Sequence, residues 1–137
     1  MPNTFHCSLV TPDRQVLDDQ LTYASIPAWD GLLGIAPGRA PLVAKLGDGV
    51  LRLDYPQGGS RYFYVTGGFA QMKDNSLSLI TPEATAAEQF SKQDVTAKLR
   101  EAEARSANTP EEAAKRRQDI QRGKAILEML AHVDNRI

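Results

Sequence analysis

Glycine, proline and aromatic residues all but stop at Phe90. Nine of the ten glycines, seven of the eight prolines and every Phe, Tyr and Trp lie at or before that position. From Ser91 onward only Gly123 and Pro110 interrupt a sequence dominated by Ala, Glu, Lys, Arg and Gln, the strong helix formers. The first ninety residues carry the β-branched, aromatic and turn residues of sheet. Such a break is incompatible with strands and helices alternating along the chain, as a parallel α/β sheet requires. It predicts a β-sandwich over residues 1–90 followed by an antiparallel α-helical hairpin over residues 91–137, a segregated α+β architecture. Charge divides at the same place: residues 1–90 hold 6 basic and 9 acidic side chains, net −3, and residues 91–137 hold 10 and 8, net +2, so the overall −1 is a cancellation.

Within the first part, Phe5, Cys7 and Leu9 share one face of a period-two segment, as do Leu51, Leu53 and Tyr55, and then Leu77 and Leu79. These segments read as half-buried antiparallel strands. Turn-forming clusters punctuate them: Thr11-Pro12-Asp13, Pro37-Gly38, Gly47-Asp48-Gly49, Pro56 to Ser60, and Asp74-Asn75. Turns this closely spaced, with no long helical pattern between them, favour a sandwich or flattened barrel.

In the second part, Asp94 is the expected cap of a first helix running to about Ser106, with Val95, Leu99 and Ala102 at i, i+4, i+7 spacing. Thr109 offers a capping oxygen, Pro110 suits the first helical position, and Glu111 and Glu112 place acid in the first turn. A second helix is therefore expected from Pro110 to near His132, with Ala113, Ile120, Leu127 and Leu130 facing inward and Ile126, Met129 and Val133 widening that stripe. A pair of helices this narrow has little core of its own and needs the sheet, or another protein, to be stable.

Length and composition exclude several classes. A chain of 137 residues can bury one modest core. No apolar run approaches the roughly 18 residues needed to span a bilayer, and Met1 to Val10 lacks the basic-then-apolar order of a signal peptide, so the chain is expected to stay in the compartment where it is made. With Cys7 as its single cysteine, neither an intrachain disulfide nor a thiolate zinc cluster is possible. Near-neutral charge removes the general case for nucleic acid.

The catalytic inventory is thin. His6 alternates with Phe5 and Cys7 at an outward strand position, and His132 near a helix end suits the helix dipole. Neither has the His, Cys or Glu spacing of a metal site. Gly34 and Gly38 lack the Lys and Ser/Thr that complete a phosphate-binding loop, and no nucleophile elbow is present. Asp18-Asp19 reads as a solvated turn and Glu111-Glu112 as a helix start. No catalytic residue, metal ligand or cofactor is assigned on these grounds, and an enzyme is the least favoured class.

Two stretches remain. Trp29 to Leu42 combines rigid turns with large apolar residues, which fits either a kinked core strand or an exposed surface for a partner. Lys115 to Lys124 holds five basic residues against one acid, either a solvated helix face or a surface for an acidic partner.

The order Thr11-Pro12-Asp13-Arg14, then Gly31-Leu32-Leu33-Gly34-Ile35-Ala36-Pro37-Gly38-Arg39-Ala40-Pro41-Leu42, then Val65-Thr66-Gly67-Gly68-Phe69 and Lys73-Asp74-Asn75 closely resembles the epsilon subunits of bacterial and chloroplast F-type ATP synthases. The resemblance covers the whole chain. It implies a non-catalytic rotor subunit of a proton-translocating ATP synthase, with the gamma subunit, the c-ring and the alpha/beta catalytic head as partners. It also implies a peripheral location on the cytoplasmic side of the bacterial inner membrane, or the stromal side of the thylakoid. By this resemblance Trp29, Asp30, Gly31, Leu32 and Leu33 form the loop facing the c-ring. Arg39, Ala40, Pro41 and Leu42 face gamma, with Arg39 standing where a typical member has histidine. The hairpin would be regulatory, compact when turnover is permitted and extended along gamma when ATP hydrolysis is blocked. Arg116, Arg117, Arg122 and Lys124 would then face the acidic loop of the beta subunits. Some members bind ATP through an Ile/Leu-Asp-x-x-Arg-Ala motif; here Asp94 matches, but Ala97 replaces the arginine and Lys98 the alanine, so weak or absent ATP binding is expected. A free-standing protein-binding adaptor and an ATP-sensing module are the alternative readings.

Overall fold

The structure, a computed structural model, describes residues 3–134. Its contacts divide the chain into two compact units between Ala86 and Ala87. The first holds eight strands: β1 (Phe5–Val10), β2 (Gln15–Leu21), β3 (Tyr23–Ala28), β4 (Gly31–Ile35), β5 (Leu42–Asp54), β6 (Ser60–Lys73), β7 (Ser76–Ile80) and β8 (Ala84–Ala86). The second holds a short 3-10 turn (Ala87–Gln89) and two helices, α1 (Lys92–Ala104) and α2 (Pro110–Asp134).

One ladder runs β2-β1-β7-β6-β5-β3-β4, with β8 added to β6. Buried Phe5 and Leu9 from β1, Leu17 from β2, Ile26 from β3 and Ile35 from β4 nevertheless belong to one apolar cluster. Strands from opposite ends of a ladder can share a core only if the ladder folds over on itself, and the result is a two-layer sandwich. Of the expected inward faces, Phe5, Cys7, Leu9, Leu51, Leu53, Leu77 and Leu79 are buried, while Tyr55, just past β5, is half-buried against the same core.

Three expectations for the strands are corrected. The strands are not all antiparallel, because β1 pairs with β7 in parallel, His6 opposite Ser76 through Val10 opposite Ile80. These strands are separated by more than sixty residues, so no local turn fixes their direction. Asp18 and Asp19 are not a turn but lie inside β2, opposite Ser8 and Cys7. Alternation turns Asp19 toward the core side with Leu17 and Leu21, where the Tyr55 hydroxyl donates to its carboxylate at 2.7 Å.

Gly47-Asp48-Gly49 is likewise not a turn; it lies within β5. Before it the buried position is Leu46 and after it Leu51 and Leu53; on the paired strand the buried set changes from Phe63 and Val65 to Ala70 and Met72. The inward face therefore switches on both strands across the rungs Leu46–Gly68 and Asp48–Thr66. Glycine is used here for close approach, since a Cβ on Gly49 would stand 2.8 Å from the Pro27 ring.

In the second unit, α1 is capped one turn earlier than expected. The Ser91 hydroxyl accepts from the Asp94 amide at 3.3 Å, so Asp94 lies in the first turn and is not the cap. At the start of α2 the Thr109 hydroxyl accepts from the Glu112 amide at 3.1 Å, and the Glu112 carboxylate accepts from the Asn108 amide at 2.8 Å. Gly123 lets the two helices pack tightly: a Cβ there would meet the Leu99 side chain at 3.2 Å. Ile126, Met129 and Leu130 are buried, whereas Ala113, Ile120 and Leu127 are only half-buried.

Gly68 has φ of +108°, and a Cβ on it would collide with the Ile80 carbonyl. Gly68→Ala is therefore expected to destabilise the chain by about 3 kcal/mol, combining left-handed strain with displacement of a ladder strand. Urea unfolding should show this as a lower midpoint.

Candidate docking surface

The register lines up exposed side chains that are distant in sequence. Lys45 pairs with Phe69, and Phe69 with Ile80. The Trp29 amide donates to the Lys45 carbonyl at 2.9 Å. Trp29, Lys45, Phe69 and Ile80 thus form one row across the ladder, with Val43 two residues from Lys45 on the same outward face. Trp29 is 71% exposed, Leu32 76%, Val43 72%, Phe69 59% and Ile80 57%, the large exposed hydrophobics among the described residues. Each would contribute about 1.5–3 kcal/mol if a partner buried it fully. Clustered apolar exposure of this kind marks an interaction surface, whereas isolated exposed hydrophobics need no explanation.

The residues expected to face partners divide by which way they point. Trp29 and Asp30 sit in the β3–β4 turn and are exposed, as is Gly31, while Leu32 points out from β4; Leu33 packs on the core instead. Arg39, Ala40 and Pro41 form an exposed loop, but Leu42 packs on the core, and the next residue, Val43, supplies the outward apolar side chain. Sequence reading did not single out Val43, Phe69 and Ile80 as site residues. A signal was present for Phe69, a large aromatic on the strand face otherwise formed by Gln71 and Lys73, opposite the face of buried Ala70 and Met72.

The basic residues of α2 do not form one free surface. Arg117 and Lys124 are exposed. Arg116 donates to the Glu103 carbonyl at 2.7 Å, satisfying an end carbonyl of α1, and Arg122 is half-buried. Arg105, just past the end of α1, reaches Asp119 of α2 at 2.9 Å, and Lys115 pairs with the same carboxylate within α2 at 2.9 Å. Their hydrogen bonds, that of Lys115 foremost, hold the Asp119 carboxyl below the usual carboxylate range. Asp94, Ala97 and Lys98 are all exposed on α1.

Neither titratable group in the strands that could suggest chemistry is set up for it. Burial, reinforced by the charges of Asp19 and Asp18, pushes the Cys7 thiol up to about 12, which leaves it protonated at neutral pH and poorly nucleophilic. His6 lies on the outer face between Asp18 of β2 and Ser76 of β7, with Nδ1 2.9 Å from the Ser76 hydroxyl, and so cross-ties three strands. Among the described residues no group of three or more His, Cys, Asp or Glu could hold a metal ion, and no helix is long and apolar enough to cross a membrane.

A small sandwich with an apolar outer row and a helical hairpin defines a docking subunit. Residues 4–87 match the family described as ATP synthase, Delta/Epsilon chain, beta-sandwich domain. The chain is 40% identical over 110 residues to the ATP synthase epsilon chain of Rhodopirellula baltica, covering 80% of this chain and 85% of the relative. It is 34% identical over 128 residues to that of a Synechococcus species, covering 91% and 92%. Among solved structures it is similar to a chain of the Euglena gracilis mitochondrial ATP synthase, OSCP/F1/c-ring, with a TM-score of 0.73 and 25% identity over 98% of this chain and 82% of that one. The chain belongs to the ATP synthase epsilon family. It is accordingly a non-catalytic subunit, a peripheral part of a membrane complex.

Because the Asp119 carboxyl titrates lower in the folded hairpin than in the unfolded chain, its contribution is present above its ordinary value of 3.8 and lost as pH falls through the depressed one. Asp119→Asn should therefore lower the stability of the hairpin at neutral pH by about 0.5–1 kcal/mol, as expected for a solvent-accessible ion pair. Amide exchange of α2 in the full chain should show the loss at pH 7 and a shrinking difference from wild type below pH 3.8.

Proposed function

We propose that this epsilon-family subunit docks at the foot of a rotating central stalk, with Val43, Phe69 and Ile80 of its outer row and the Arg39–Pro41 loop against the gamma subunit and the Trp29–Leu32 tip against the c-ring. The row of Trp29, Phe69 and Ile80, joined by Val43, carries this reading. Torque transmission needs a rigid, extensive contact and no bond making, and side chains mounted on hydrogen-bonded strands meet that need better than side chains on free loops. The cytoplasmic side of the bacterial inner membrane is the location proposed for the assembled complex.

The hairpin is proposed as the regulatory element. Arg116, Arg117, Arg122 and Lys124 suit an acidic surface on the catalytic head, and attraction of that kind speeds capture and weakens with salt. Extension of α2 along gamma would require Arg116 to leave the Glu103 carbonyl and Asp119 to leave Arg105, so the charges that would inhibit also hold the compact hairpin together. No nucleotide is assigned to α1, because Ala97 and Lys98 lack the guanidinium that would pair with a phosphate beside Asp94.

Phe69→Asp and Val43→Asp should each weaken binding of the full chain to an ATP synthase stripped of this subunit by at least about tenfold, since a charge would be buried where apolar contact was lost. Unchanged affinity would point to a free-standing adaptor. Charge reversal at Arg116, Arg117, Arg122 and Lys124 should raise ATPase activity of the assembled enzyme at low salt, and unaltered latency would remove the hairpin from regulation.

A further inference from the structure

The β6–β7 connection consists of Asp74 and Asn75, both in the left-handed region with φ of +53° and +59°. They join the rung Lys73–Ser76 as the two-residue hairpin turn that the twist of the strands prefers. The Asn75 side chain, however, makes its bonds outside its own turn. Its Oδ1 accepts from the Gly38 amide at 2.8 Å, and its Nδ2 donates to the Thr4 carbonyl at 2.9 Å. Its backbone carbonyl accepts from the His6 amide at 3.2 Å. One residue thus fastens the β4–β5 loop, 37 positions away, to the start of β1, 71 positions away.

That loop has little else to fix it. Within it the Arg39 amide donates to the Ala36 carbonyl at 3.3 Å, Gly38 has φ of +78°, and Gly38, Arg39, Ala40 and Pro41 are all exposed. An exposed loop without a tether would lose conformational freedom each time it docked, and that cost is subtracted from affinity. Making both bonds takes a side chain that tolerates positive φ and carries a donor and an acceptor together, and asparagine meets both needs.

We propose that Asn75 is the positioning residue of the docking loop, holding Arg39 to Pro41 in the conformation the partner receives. This rests on the reading that the loop faces the gamma subunit. Asn75 contributes by ordering the loop before contact and does not touch the partner itself.

The test uses the full chain titrated onto the ATP synthase stripped of this subunit. Asn75→Gly keeps the left-handed backbone and removes both side-chain bonds; Asn75→Asp keeps an acceptor for the Gly38 amide and loses the donor to Thr4. Asn75→Gly should bind about tenfold more weakly, with faster exchange of the Gly38 amide and a thermal midpoint close to wild type. Asn75→Asp should restore Gly38 protection and most of the affinity. Binding of Asn75→Gly within twofold of wild type would overturn the positioning role, as would failure of that variant to fold, which would make Asn75 a folding residue. Arg39→Glu and Phe69→Asp separate the two claims. If both bind like wild type, the docking reading fails; if both weaken and Asn75→Gly does not, only the positioning role fails.

Discussion

Everything in the sandwich hangs on the pairing of β5 with β6. These are the two longest strands, and their register is continuous from Leu42 opposite Met72 to Asp54 opposite Ser60. One part of β6 carries β7 and, through it, β1 and β2; another part carries β8, while β5 carries β3 and β4. A slip of β6 by one residue against β5 would exchange the inward and outward side chains of β6 along its whole length. Met72 and Ala70 would face water, and Phe69 and Gln71 would face the core. The same register that fills the core therefore sets the docking row.

The two units face different physical demands. The row on the sandwich is mounted on strands whose backbone groups are paired, so its geometry survives load. The hairpin depends on a thin stripe around Gly123, Ile126 and Met129 and on ion pairs open to solvent near its connection. Exposed ion pairs hold weakly and respond to salt and competing charge. Under the proposed function this division suits a stiff docking body and a weakly held regulatory arm.

What could be read from the sequence was what local chemistry decides. The break at Phe90, the inward faces of β1 and β7, the Thr109-Pro110 helix start and the turn at Asp74-Asn75 each follow from residues within a few positions of one another. What could not be read depends on partners far away. Gly47-Asp48-Gly49 has the composition of a turn, yet Gly49 is required by Pro27 on the paired strand β3. Asp19 looked solvated because Tyr55, its hydrogen-bond partner, is 36 residues distant. The parallel pairing of β1 with β7 has no local signature at all. For the site, the stretches named by the resemblance do hold exposed side chains, but Leu33 and Leu42 pack on the core, and Val43, Phe69 and Ile80 become neighbours only through the ladder register.

The central claim is that the sandwich docks through this row and the adjoining Trp29–Leu32 tip and Arg39–Pro41 loop. Hydroxyl-radical footprinting of the chain, free and within the assembled ATP synthase, tests it most directly. The account predicts that oxidation of Trp29, Leu32, Val43, Phe69 and Ile80 falls sharply on assembly, while Tyr62, toward the opposite end of β6, reacts alike in both states. Equal oxidation of Trp29 and Phe69 in the free and assembled chain would contradict it.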